Sequence, residues 1–325
     1  MSAIGSSPRR DWTCWDFVLP AISESSASRA ALPADVGGVL GVGVAVLDLI
    51  QEVTSYPGED EEVRAIAQRR VRGGNVTNSL TILAQFGHSC SWIGTLGDDA
   101  AAAEIRMELV RQGIDVSQVV QIAGGTSPLS SILLSRATGS RTIVHYRDLP
   151  ELDAAAFAEV SLEGLAWVHF EGRNPVETEQ MIRRVRSVAP DVTISLELEK
   201  NRPDIDILFD GPHVLLAGQA FARARGWQTP TVLLEELAGR SRADLCVVAW
   251  GEQGAALQRR EGPIQQVPAV VPPRVVDTLG AGDVFNAGVM DGLLRGLPAL
   301  DAVRHAVRIA GAKCGRMGLD LRDLA

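Results

Sequence analysis

The sequence is poor in the residues that build redox and metal chemistry. Its four cysteines, Cys14, Cys90, Cys246 and Cys314, are scattered over 325 residues with no C-x-x-C pair. That spacing argues for reduced thiols in a cytoplasmic protein, and against a disulfide framework or a zinc site. The five histidines show no H-x-x-x-H spacing. A long hydrophobic run is missing too. The longest apolar stretch, Val39 to Ile50, is broken by Gly41, Gly43 and Asp48 and is too short to span a bilayer. Nor is there a basic excess: 31 Lys and Arg stand against 40 Asp and Glu, a net charge of −9. No global field therefore favours nucleic acid or an anionic membrane. An anionic ligand would have to be held by local amides and single Arg or Lys residues.

With 46% hydrophobic residues, the chain reads as globular and long enough to bury a large core. Residues 1–37 differ from the rest. They are rich in Ser and Ala, carry Pro8, Pro20 and Pro33, and show no sustained periodicity. Arg9-Arg10 ahead of Trp12 and Trp15 hints at a targeting leader, but Asp11, Asp16 and Glu24 leave no continuous apolar segment. A flexible N-terminal extension is expected over 1–37, followed by one domain over 38–325. Residues 38–325 contain no repeat, low-complexity tract or clear linker.

The most informative stretch is Asp277-Thr278-Leu279-Gly280-Ala281-Gly282-Asp283, between Val271-Pro272-Pro273 and an apolar helical pattern from Val284 to about Leu294. Glycines there let the backbone approach a ligand, and a helix N-terminus presents unpaired N–H groups. Together they make an anion hole suited to a phosphate. A carboxylate beside an anion hole has an evident task, taking the proton from a hydroxyl that attacks the phosphate. The plainer reading is an Asp N-cap after a glycine turn.

Val39 to Asp48 reads as one buried parallel strand with Asp48 at its carboxyl end, where open α/β sheets place ligands. Its G-x-G lacks the third glycine and immediate helix of a dinucleotide fingerprint, which disfavours a Rossmann dehydrogenase. Glu52 to Arg72, around Tyr56-Pro57-Gly58-Glu59-Asp60, shows short β-type pieces rather than a crossover helix. Arg72-Gly73-Gly74-Asn75-Val76-Thr77-Asn78 then leads into an amphipathic helix. Gly73-Gly74 permits a ligand's close approach, and Asn75 and Asn78 fall one turn apart on one face, where amides suit sugar hydroxyls. Capping and surface roles fit those asparagines as well. Ser91 to Asp99 reads as a strand and its turn, with a helix through Ile105, Leu109 and Val110 ending near Gly113. Ser130–Ser135 and Arg141–Tyr146 flank a glycine-containing turn and predict a hairpin. Paired with the earlier pieces, it would form a small sheet able to cover a site, with strands from about 50–72 and 129–147. From Trp167 a regular α/β rhythm follows, with strands at 167–171, 192–198, 213–217 and 245–250 and helices at 176–188 and 231–239.

Two stretches go beyond fold analogy. Gly73-Gly74-Asn75-x-x-Asn78 and Asp277-Thr-x-Gly-Ala-Gly-Asp283 resemble the paired signatures of the ribokinase-like (PfkB) carbohydrate kinases. Within that family the local likenesses are to ketohexokinases, the fructokinases acting on the C1 hydroxyl. They include Tyr56-Pro57-x-Glu59-Asp60, Arg72-Gly73-Gly74-Asn75, Glu171-Gly172-Arg173-Asn174, Ala249-Trp250 and Lys313-Cys314-Gly315. The resemblance implies a doubly wound, mostly parallel α/β sheet flanked by helices, with a small β-sheet lid, and ATP-dependent phosphorylation of a sugar such as fructose. It implies Asp283 as base and Gly280, Ala281 and Gly282 as anion-hole amides. Asp48, Asp60, Gly74, Asn75, Asn78 and Arg141 would serve the sugar, and Trp250, Gly251 and Gly254 the nucleotide cleft. It further implies Mg²⁺, leaves a monovalent cation open, and implies a homodimer through the lid. Many relatives carry Asn-x-x-Glu where this chain has Ala217-Gly218-Gln219-Ala220, so no protein ligand is assigned to Mg²⁺. Other kinases of the fold, acting on ribose, 2-keto-3-deoxygluconate or a nucleoside, remain open, as does a non-catalytic sugar- or nucleotide-binding regulator.

The remaining candidates have plainer readings. Glu171 and Arg173 would pair to fix a strand-end turn, and Cys314 and His169 would be packed residues. Lys313 would be a solvated helix-end cation, and Asp277 would fix the turn. Glu197 and Glu199 share a strand face and carry no assigned role.

Overall fold

The computed structural model describes residues 37–325. The extension expected over 1–37, and Cys14 with it, falls outside them but for Gly37. The main sheet has nine strands. From one edge the order is Gln265–Val267, Ala255–Arg259, Leu245–Ala249, Val214–Gly218, Thr193–Leu198, Leu165–Glu171, Gly38–Val42, Cys90–Ile93 and Ile114–Asp115. The last seven are parallel, and only the first two run antiparallel to their neighbours.

Alternation within these strands feeds two cores. Val39, Trp167 and Val247 face one side with Leu80, Val284, Met290 and Ile309 from helices Asn75–Gln85, Ala281–Leu294 and Ala299–Cys314. Leu40, Val168 and Val248 face the other, with Phe157, Met181, Ile182 and Leu233. A sheet buried on both faces needs near-continuous apolar strands, which is what Val39–Val42 and Leu245–Val248 supply. The doubly wound α/β architecture expected from the sequence is therefore present, with strand ends within one or two residues of expectation in the second half.

The first half differs in one respect. Val39 to Asp48 is not one strand. Gly38–Val42 ends in the main sheet, Gly43 to Ala45 turns, and Val46–Val53 starts a separate four-stranded sheet. Its order is Ala67–Gly73, Val46–Val53, Thr126–Ser135 and Arg141–Asp148. The middle pair is parallel and the outer pairs are antiparallel. Asp48 is thus the third residue of a small-sheet strand, not the carboxyl end of a main-sheet strand. Residues 54–66, expected to hold short β-type pieces, form the connection between two strands. The hairpin Thr126–Ser135/Arg141–Asp148 matches its prediction.

Candidate active site

A cleft of about 1020 Å³ opens where the carboxyl ends of the main strands meet the small sheet. It lies at the switch point of the sheet, where Gly38–Val42 and Leu165–Glu171 are neighbours and the winding reverses direction. Among the sequence candidates, Asp48, Gly74, Asn75, Asn78, Arg141, Gly280, Ala281, Gly282 and Asp283 all line it.

The loop 277–283 has the local geometry of an anion hole. Gly280 caps helix Ala281–Leu294 with a left-handed φ of 79° and no side-chain cap. The Asp283 carboxyl does not cap the helix; it turns instead to Asn78, whose Nδ2 donates to Asp283 Oδ2 at 2.7 Å. The plainer N-cap reading is corrected by this contact. The Ala281 N–H donates to Thr278 O at 3.2 Å, which corrects its expected place among the anion-hole amides; those of Gly280, Gly282 and Asp283 are left for an anion in this turn. No atom would crowd a Cβ at Gly282, which keeps that side of the turn open. Asp277 shapes the turn as expected, accepting from Leu279 N at 2.9 Å and Gly318 N at 3.1 Å. Lys313 overturns its expectation. It is fully buried, not a solvated cation, and its Nζ lies 2.9 Å from Asp277 Oδ2 and donates to Asp277 O at 2.8 Å.

Burial pushes Asp283 up to about 7; the Asn78 hydrogen bond and the Arg72 charge oppose this, while Glu199 and Glu171 add to it. A carboxyl titrating near neutral pH is matched to general-base work. Glu197, also pushed up by burial with Asp283 and Glu171 near it, accepts from Asn286 Nδ2 at 2.9 Å. Burial likewise raises Asp48, against the hydrogen bond from Ser130 and the Arg72 charge.

The glycine pair serves the chain itself before any ligand. A Cβ on Gly73 would lie 2.3 Å from Asp48 Oδ2, and one on Gly74, at φ 110°, would lie 2.1 Å from Val44 O. Gly73 makes room for the Asp48 carboxylate, and Gly74 lets the chain turn from small-sheet strand into helix. Asn75 Nδ2 donates to Glu199 Oε2 at 3.1 Å, so each asparagine of this helix is engaged by a carboxylate lining the cleft.

Other expectations fare differently. Asp60 is exposed, with φ 61°, and does not line the cleft of its own chain. Trp250 is buried, and with Gly251 and Gly254 it forms the turn closed by Trp250 N to Gly254 O at 2.8 Å. The cleft wall there is made by Ala249 and Gly218. Glu171 and Arg173 pair at 2.7 Å and also line the cleft. His169 is a core residue held by Ser195. Sequence reasoning gave no role to Arg72, Glu197 or Asn286, whose partners lie far away in sequence or outside any motif. The alternation of Glu197 and Glu199 was the one signal available.

The pfkB family carbohydrate kinase model matches residues 38–323. The chain belongs to that family. It is an ATP-dependent carbohydrate kinase, and the loop 277–283 and the Gly73-Gly74-Asn75 turn meet in its cleft. The chain is 37% identical over 290 residues to mouse ketohexokinase, covering 87% of this chain and 97% of that one. Over 287 residues it is 25% identical to the fructosamine kinase FrlD of Bacillus subtilis strain 168, covering 86% and 92%. In fold it is similar to Arabidopsis thaliana ribokinase, solved with ribose and ATP, at a TM-score of 0.73 and 20% identity over 87% of this chain and 94% of that one. No helix among the described residues is long and apolar enough to cross a membrane.

Proposed function

We propose that this kinase transfers the γ-phosphoryl group of ATP to the C1 hydroxyl of a ketohexose, fructose in the first place, giving fructose 1-phosphate. The observation that carries the chemistry is Asp283, buried, titrating near 7, and sharing one helix turn with the amides of Gly282 and Asp283. Asp283 accepts the hydroxyl proton while those amides hold the charge on the transferring phosphoryl group. Gly280 gives the turn its shape. Asp48, Asn75, Asn78 and Arg141, with the backbone at Gly74, surround the sugar. The nucleotide lies along Gly218 and Ala249, with the Trp250–Gly254 turn behind them. The choice of a ketohexose is supported by the 37% likeness to mouse ketohexokinase over nearly the whole of both chains.

Mg²⁺ fits this reading as an ion delivered with the nucleotide phosphates. Among the described residues no three His, Cys, Asp or Glu side chains are grouped to hold a metal, and Glu197 and Glu199 are engaged by Asn286 and Asn75. The small sheet would close over the cleft and exclude water as a competing acceptor. Its outer strand exposes Ile143, Val144 and Tyr146, which supports a homodimer formed through the lid. Reduced cysteines Cys90, Cys246 and Cys314 suit a cytoplasmic setting.

The test is ADP release with a panel of fructose, other ketohexoses, ribose, 2-keto-3-deoxygluconate and nucleosides, with and without K⁺, followed by NMR of the product. Turnover on fructose with phosphate on C1 is expected. Phosphate on another carbon would overturn the regiochemistry. Turnover confined to ribose, 2-keto-3-deoxygluconate or nucleosides would move the protein to another branch of the family. Binding of ATP and sugar without ADP would mark it as a regulator.

A further inference from the structure

The hydrogen bonds at Asp283 lead back, through one amide, to a cation on the small sheet. Arg72 is the penultimate residue of the strand Ala67–Gly73. Its guanidinium leaves the sheet and lies along helix Asn75–Gln85. Nη1 donates to Thr77 Oγ1 at 2.6 Å and to Asn78 Oδ1 at 2.8 Å, and Nη2 donates to Thr81 Oγ1 at 2.8 Å. An asparagine amide has one accepting and one donating end, and a guanidinium only donates. With Oδ1 held by Arg72, the Asn78 NH₂ group faces Asp283, where it occupies Oδ2 at 2.7 Å. The flipped amide would set NH₂ against the guanidinium and oxygen against the carboxylate, unfavourable at both ends. Arg72 therefore fixes the polarity of Asn78. Asn78 in turn fixes which Asp283 oxygen is taken and which is left for the substrate proton.

We propose that Arg72 is a positioning residue for phosphoryl transfer, orienting the Asp283 carboxyl through the Asn78 amide and coupling the seating of the small sheet to the alignment of the base. The inference rests on the role proposed for Asp283. It assigns work to a small-sheet residue whose guanidinium is taken up by the side chains of helix Asn75–Gln85. The three side-chain acceptors of Arg72 lie on one helix, two of them on successive turns, and a planar fork suits their spacing, while Nη1 also lies 3.5 Å from Gly73 O. A lysine at this position would keep the charge and lose the geometry. Burial pulls Arg72 down to about 10, with Glu108, Asp283 and Asp48 supporting its charge, so it is cationic at neutral pH. Around Asp283 the charged groups are Arg72 from the small sheet, Glu171 and Glu199 at the ends of neighbouring main strands, and Glu197 between them. Arg72 is the cation among them that opposes the carboxylates.

The experiment uses the full chain and starts from Arg72→Met, Arg72→Lys, Asn78→Ala and the double Arg72→Met/Asn78→Ala. The readouts are kcat, KM for sugar and ATP, and the pH profile of kcat/KM. Arg72→Met is expected to lower kcat by about 10- to 100-fold, since a misplaced base costs of that order. It should also move the acid limb of the profile to higher pH, because a cation near Asp283 is gone. In the Asn78→Ala background it should add little, since two residues acting as one chain are not additive. Arg72→Lys should keep the limb where the wild type has it and recover only part of kcat. Thr81→Val removes the Nη2 acceptor without removing the charge. Should Arg72→Met fail to fold, a fall in kcat for Thr81→Val that vanishes in the Asn78→Ala background supports the proposal, and an additive or absent effect overturns it. For a folded Arg72→Met, an unchanged kcat, an unmoved acid limb, or full additivity with Asn78→Ala overturns it. A failure of Asp283 itself as base would be seen separately, as retained turnover in Asp283→Asn whatever the Arg72 variants do.

Discussion

At the scale of single residues, the site holds an ionisable carboxyl where burial disfavours its charge. Asp283 must be ionised to accept a proton, so kcat/KM should rise about tenfold per pH unit below about 7 and level off above it. A profile flat from pH 5.5 to 8 would remove Asp283 from the role. Asp283→Asn keeps the shape and the Asn78 hydrogen bond but removes the base, and a loss of about 10²- to 10⁴-fold in kcat is expected. The same substitution should stabilise the protein. A carboxyl whose folded pKa is raised favours folding only while protonated. Its contribution is complete below the unfolded value near 3.8 and is lost as pH rises through about 7. Melting of Asp283→Asn should therefore exceed that of wild type by several degrees at pH 8, with a smaller gain at pH 5. Equal melting at both values would mean the site does not strain its own carboxyl.

At the scale of elements, the chain crosses between the main sheet and the small sheet four times, at Gly43–Ala45, at Gly74, at 116–125 and at 149–153. One carboxylate touches the first two crossings: Glu171 accepts from Val44 N and Val76 N, both at 3.2 Å. Arg173 binds Glu171 at 2.7 Å and Glu151 at 3.2 Å, and Glu151 binds Arg147 at 2.6 Å near the end of the outer strand. Three of the four crossings are thus tied into one chain of hydrogen bonds and ion pairs. Arg173→Met should loosen it, raising hydrogen exchange across 141–148 while leaving the main-sheet strands protected. Unchanged exchange there would show that the crossings are held by packing alone. The same crossings mark where the sequence was legible and where it was not. Strands and helices after Trp167 show in periodicity because each is bounded by turn residues. Val39–Ile50 is apolar but for Gly41, Gly43 and Asp48, and period cannot reveal that a buried strand leaves one sheet and a half-buried one enters another. The loop 277–283 and Gly73–Gly74 were legible because backbone geometry writes itself as glycine. Arg72, Glu197 and Asn286 were not, because their partners are set by the meeting of distant helices and strand ends, and ordinary polar residues carry no local mark of that. Lys313 was misread for the same reason: a helix-end lysine looks solvated until the loop bearing Asp277 covers it.

At the scale of the whole molecule, two features decide how the parts are held. The pair of buried Lys313 and partly buried Asp277 joins the last long helix to the loop 277–283. Lys313→Met leaves the Asp277 carboxylate without its cation, so it should cost about 1–3 kcal/mol and lower Tm by several degrees. A shift within a degree or two would mean that Leu279 N and Gly318 N suffice for Asp277. The second feature is the outer strand Arg141–Asp148, an edge with Ile143, Val144 and Tyr146 at 48, 67 and 56% exposure. An apolar sheet edge in water invites pairing with another copy unless charge or a bulge blunts it. Arg141 on the same strand lines the cleft, so whatever covers the strand also holds a cleft residue in place. If the lid is the dimer contact, Val144→Asp should give monomers by sedimentation velocity. It should also raise the sugar KM more than the ATP KM, because the proposed nucleotide side at Gly218 and Ala249 belongs to the main sheet. A wild-type protein that sediments as a monomer, or a Val144→Asp dimer with unchanged kinetics, would put the oligomer contact elsewhere.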